Sequence, residues 1–161
     1  MRQIFLIVIF ALLLFAIEFL LFHLIGRWAM PNLLLLLVIF FTLYSGIRYG
    51  LLAAFVAGWI RDSFGVMPIG THMLAFVVCA YGTTFLKKYI YHANSRTSRL
   101  LLVCVVSVVN LTVLFFLNFR MVSFPVIQAF QNIFIPEVIV TLCVTHFTFY
   151  HLKTCVSKFY V

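Results

Sequence analysis

The sequence predicts an all-α polytopic membrane protein of six transmembrane helices, five being the other possible count, in one integral membrane domain spanning residues 1–161. Three observations predict it. Hydrophobic residues make up 66% of the chain and charged residues 9%, with a mean hydropathy of +1.22, so there is too little polar surface to coat a soluble domain. The apolar residues gather into runs long enough to cross a bilayer. The basic residues, 11 Lys and Arg against 3 acids, fall mainly between those runs.

The first run, Ile4–Ile25, is longer than the apolar stretch of a signal peptide and shows no small-residue cleavage pattern, so it reads as a retained span. Three more runs are clear, at Met67–Leu86, Leu100–Leu117 and Val126–Leu152, the last interrupted by Pro136. Asn32–Ile60 is ambiguous. As one helix it would be about 43 Å long, against a hydrocarbon core of about 30 Å, and Arg48 would sit near its middle. Dividing it at Ser45-Gly46-Ile47-Arg48 gives two short spans and moves Arg48 to an interface.

Positive charge arbitrates, because short cytoplasmic loops carry excess Lys and Arg. The cluster Lys87, Lys88, Arg96 and Arg99 marks a cytoplasmic loop. With six spans, that cluster joins Arg2, Arg48, Lys153 and Lys158 inside, 8 of the 11 basic residues, and leaves Arg27, Arg61 and Arg120 outside. Five spans keep Arg48 in the membrane, at a cost of about 2.5 to 3.5 kcal/mol. Six spans with both termini cytoplasmic, in an inner (cytoplasmic) membrane, is therefore the preferred reading.

The formal charge of +8 reflects those loops beside anionic lipid and does not indicate nucleic-acid binding, since the aromatic residues lie inside apolar runs and form no stacking platform. Cys79, Cys104, Cys143 and Cys155 are widely spaced, and His23, His72, His92, His146 and His151 are scattered, so no metal site or other cofactor is expected. No HExxH, G-x-S-x-G or P-loop motif is present, and no enzymatic function is expected.

The most informative stretch is residues 46–62. Gly46, Gly50, Ala54 and Gly58 recur every fourth position with Ala53 and Ala57 alongside, which on a helix makes a face along which another backbone can approach closely. At its end Asp62 admits two readings: a helix-end charge pair with Arg61, or a buried joint holding the turn Ser63–Gly70. Glu18, within the first span, either pairs with Arg27 or His23 or contacts a partner or ligand. Pro136 predicts a kink beside Asn132, with Glu137 facing either a neighbouring helix or an aqueous cavity. Ser107 and Asn110 read as interhelical hydrogen-bonding groups.

The chain resembles the rod shape-determining protein MreD family of bacteria. The resemblance rests on Pro31-Asn32 followed by five leucines, on Gly46 to Gly58, on Ile60-Arg61-Asp62 with Gly65 and Ile69-Gly70 after it, and on Gln131-Asn132 with Pro136 before a basic C-terminus. Arg61 stands where the family tends to have an apolar residue, and Ile69 where it tends to have Leu. The resemblance implies a non-enzymatic scaffold that binds MreC and acts with RodA, penicillin-binding protein 2 and MreB in lateral peptidoglycan synthesis. It also implies a fold similar to the substrate-binding components of energy-coupling-factor transporters. A rival reading is a vitamin-binding transporter component, although Ala11 and Ala16 do not have the A-x-x-x-A spacing expected for docking on its partner. A third is an ion-coupled enzyme or channel, which requires Glu18 and Glu137 to meet in a polar cavity.

Overall fold

Residues 2–25, 31–65, 68–89, 96–118 and 135–159 are described by a computed structural model and are almost wholly helical. The helices are α1 (Arg2–Ile25), α2 (Leu33–Tyr44), α3 (Ile47–Phe64), α4 (Thr71–Tyr89), α5 (Arg96–Asn118) and α6 (Ile135–Phe159). The stretch 32–60 divides into two helices at residues 45–46. There Ser45 closes α2 and Gly46 takes φ +92° and ψ 173°, a conformation open essentially to glycine alone.

Every residue from Leu33 to Leu43 in α2 is buried, because the other helices surround it. α3 packs between α1 and α4, α5 follows α4, and α6 packs on α5 and α2. The seam between α1 and α6 is left as an apolar groove of ≈ 440 Å³, lined by Phe10, Leu14, Ile17, Val144 and Phe147 among others. By length and composition alone, Ile4–Leu24 and Thr97–Leu117 suffice to cross a membrane.

The small-residue face acts at two hairpin mouths. Gly50 and Thr42 face each other across the 45–46 turn. A Cβ on Gly50 would meet the Thr42 Oγ1, its Cβ at 2.9 Å and its Cα at 3.0 Å. Gly58 plays the same part between α3 and α4, where a Cβ would press on the Met73 Cα and stand 2.7 Å from its backbone nitrogen. Ala53, Ala54 and Ala57 are wholly buried between them. Gly46 is not part of this packed face: it lies in the turn, and a Cβ there would meet nothing within 4 Å. Its role is conformational.

Pro136 is the second residue of α6, and the kink expected at it involves residues 119–134, which lie outside the described residues. Asn132 lies outside the described residues.

Gly58→Ala should destabilise the bundle by about 1 to 3 kcal/mol through overpacking against a backbone. Gly82→Ala, in α4, has open space around its added Cβ and should be neutral or stabilising by about 0.5 to 1 kcal/mol. Denaturant unfolding in detergent micelles measures both, and equal effects would remove close approach from the account of the α3–α4 contact.

Candidate functional site

A helix of 12 residues is about 18 Å long, so α2 is too short for a hydrocarbon core of about 30 Å and its terminal backbone groups need partners within the protein. At the N-terminus these come from three helices. Asn32 is the N-cap, its Oδ1 accepting from the Leu35 N–H at 3.1 Å. Glu18 of α1 accepts from the Leu34 N–H at 3.2 Å. The Asn32 N–H donates to Thr141 Oγ1 of α6 at 3.0 Å, and its Nδ2 donates to Glu137 Oε1, also at 3.0 Å. Arg61 of α3 then closes the junction, donating from Nη1 to Asn32 Oδ1 at 2.8 Å and lying 3.6 Å from Glu18 Oε1. Asn32, 2% exposed, thus links α1, α2, α3 and α6 around one cation and two carboxylates.

The neighbouring Asp62 serves the next helix. Its Oδ2 accepts from the N–H groups of Gly70 at 2.8 Å and Met73 at 3.3 Å, and its Oδ1 from the His72 N–H at 3.1 Å. These are the orphan donors at the start of α4, where a carboxylate also complements the helix dipole. The His72 ring adds a contact from Nδ1 at 2.8 Å, with the hydrogen on the nitrogen facing the carboxylate. Gly70 has no side chain to cap α4 and sits at φ +100°, while the Thr71 hydroxyl donates to the Pro68 carbonyl at 2.7 Å. The cap therefore comes from α3. Asp62 lies beyond Ile60, the last residue of the apolar run. Burial pushes its carboxyl up, but the hydrogen bonds from the His72 N–H and ring, with those of Gly70 and Met73, outweigh it and hold the group below the usual carboxylate range.

At the other end, Lys87 Nζ donates to the Leu43 carbonyl at 2.7 Å and so caps the C-terminus of α2 from α4.

The family model of the rod shape-determining protein MreD matches residues 1–155, essentially the whole chain. The chain belongs to the MreD family. No curated protein and no solved structure matches it. MreD is a membrane protein family with a role in rod-shape determination, a shape-determining structural component.

In this MreD-family chain the stretch Ile60-Arg61-Asp62 followed by Ile69-Gly70 is the α3–α4 joint: the Asp supplies the acceptor and the Gly the positive φ. Of the two readings of Asp62, the structure adopts the joint, because Arg61 turns away to Glu18 and Asn32. Of the partners expected for Glu18, His23 approaches the Phe19 carbonyl at 3.1 Å instead, and Arg27 lies outside the described residues. Glu137 faces neighbouring helices through Asn32, with Thr141 donating to its carbonyl at 2.6 Å. Asn110 Oδ1 receives a weak contact from Cys79 Sγ at 3.8 Å across α4 and α5, while Asn110 Nδ2 and Ser107 Oγ have no partner among the described residues. Among those residues no three His, Cys, Asp or Glu side chains group as a metal set.

Sequence reasoning missed Asn32, Thr141, His72 and Lys87 as members of this framework. Asn32 was detectable, since Asn before an apolar run is an N-cap signal. The others are contributed across long sequence separations and carry no local signature.

Arg61→Gln should cost about 3 to 5 kcal/mol, because it leaves the buried Glu18 and the half-buried Glu137 without their cation. Adding Glu18→Gln should recover a large part of that loss, and a double variant no more stable than Arg61→Gln alone would rule out charge compensation. For Asp62 the sign follows from a depressed native pKa: its contribution is full above the ordinary carboxylate range and is lost as pH falls through the lower native value. Asp62→Asn should therefore flatten the acid limb of the stability profile, read by thermal unfolding across pH.

Proposed function

We propose that this chain is a non-enzymatic scaffold subunit of the bacterial rod-shape and elongation complex, crossing the inner membrane six times with both termini cytoplasmic. It binds MreC and, with RodA, penicillin-binding protein 2 and MreB, supports lateral peptidoglycan synthesis. The family match supports the complex, and the observation that carries the scaffold reading is the use of charge. All three acidic residues of the chain hold helix starts together, so the polar chemistry inside the bundle is that of joints.

The distribution of cations supports the orientation. Arg48 opens α3 and Lys87 caps α2 at one end, with Lys88 beside it, whereas Arg61 stands with the acids at the other. The basic end is the cytoplasmic one. A likeness to the substrate-binding components of energy-coupling-factor transporters belongs to this proposal through the family resemblance and the shared count of six helices.

The ion-coupled reading called for Glu18 and Glu137 in a polar cavity. They do meet around Arg61 and Asn32, but Glu18 accepts from the Leu34 N–H at the start of α2 and Glu137 from the side-chain amide of its N-cap Asn32. For the vitamin-binding alternative, Ala11 is buried and Ala16 exposed, so the two alanines of α1 do not share a docking face.

Gentle extraction of the tagged protein from its host, followed by native mass spectrometry, tests the proposal. Co-purification of a single-span MreC protein is the expected result. A lone chain carrying a stoichiometric small molecule would replace the scaffold with the transporter component.

A further inference from the structure

The chain has three acidic residues and all of them stand at the junction end, which leaves the opposite, basic end without a carboxylate side chain. Two cations there have visible work: Lys87 caps the Leu43 carbonyl, and Lys88 lies 5.9 Å from the Tyr89 ring centroid. Arg99 differs. Its Nε is buried and has no hydrogen-bond partner among the described residues. It lines a crevice of ≈ 100 Å³ between α5 and α6 with Leu100, Thr145, His146 and Phe149.

A buried guanidinium nitrogen without an acceptor is costly to leave unpaired. The surroundings sharpen the demand for an anion. Arg99 is in the first turn of α5, where the positive end of the helix dipole disfavours a cation, and that turn holds no acid. The Thr145 hydroxyl is engaged as a donor to the Thr141 carbonyl at 2.6 Å, so it does not compete with Arg99 for an incoming acceptor. The crevice has room for more than one water-sized group, and its apolar walls, Leu100 and the buried Phe149, suit the lipid-facing side of a headgroup better than a free ion. Guanidinium matches phosphate oxygens in a two-pronged geometry, and basic pockets between transmembrane helices on the cytoplasmic side are suited to phospholipid headgroups.

We propose that Arg99, in the crevice between α5 and α6, binds the phosphate of an anionic phospholipid of the inner leaflet. The site rests on the membrane orientation given above but not on MreC binding, so the two fail separately.

The test is native mass spectrometry of the full-length protein in detergent, titrated with phosphatidylglycerol. Wild type retains the lipid, and Arg99→Gln weakens binding roughly ten-fold or more. Arg99→Lys falls between the two, since an ammonium keeps the charge and loses the fork. Lys88→Gln, a control at the same end, leaves binding unchanged. Wild-type binding by Arg99→Gln, or an equal loss in Lys88→Gln, overturns the site. Displacement of the lipid by an equal concentration of inorganic phosphate overturns the lipid assignment in favour of a free-ion site. If Arg99→Gln lowers the thermal midpoint before lipid is added, His146→Ala decides: a several-fold weakening upholds the crevice, and unchanged binding overturns it.

Discussion

A helix that is apolar on every face and too short to cross the membrane imposes the central constraint on this structure. α2 could face lipid as comfortably as protein along its sides, because lipid tails are as apolar as leucine and exert no hydrophobic pressure for burial. Its ends are another matter. At about 18 Å it leaves backbone N–H and C=O groups within the hydrocarbon layer, where water cannot satisfy them. Those ends, more than the ten buried apolar side chains between them, require α2 to lie at the centre, within reach of Glu18, Arg61 and Thr141 above and Lys87 below.

The placement of the acids follows from that constraint. Glu18 serves the start of α2, Asp62 the start of α4, and Glu137 lies in the first turn of α6. All three helices begin at the same end of the bundle, where their dipoles present positive potential, so carboxylates are favoured there twice over: as acceptors for orphan donors and as counter-charges. Two carboxylates around Asn32 would repel each other, and Arg61 lies between the two demands. An apolar residue at 61 would leave Glu18 and Glu137 without this cation. Close packing of α3 then follows from polar positioning: its Gly50 and Gly58 let α2 and α4 approach at the two turns where the chain doubles back.

The parts of this that sequence made legible are those with a local cause. Hydropathy and the placement of Arg48 were enough to divide 32–60 into two helices, and the spacing of Gly50, Ala54 and Gly58 marked the face that packs. Gly46 shared that spacing for a different reason, since periodicity alone does not separate a glycine needed for its missing Cβ from one needed for positive φ. Glu18 and Asp62 were recognised as unusual; one reading of Asp62 reached the turn as far as Gly70, while the partners of Glu18 were sought among the residues just after it. The true partners are 16 residues away at Leu34 for Glu18 and 8 to 11 away at Gly70 to Met73 for Asp62, while the Asn32–Glu137 bond spans 105. Contacts of that separation depend on which helices the fold makes neighbours.

Charge segregation joins these observations to function. A bundle in which the acids lock one end from within has few ionisable groups left in its interior with which to carry out chemistry, and what it offers to other molecules is its outer surface. That surface includes long apolar faces, interrupted by the groove between α1 and α6; the end where Glu18, Asp62, Glu137 and Arg61 stand; and the opposite, basic end. In the orientation proposed above, the basic end lies beside the anionic leaflet. The same three carboxylates therefore act twice, by joining the helices where they are present and by leaving the opposite end to the membrane surface.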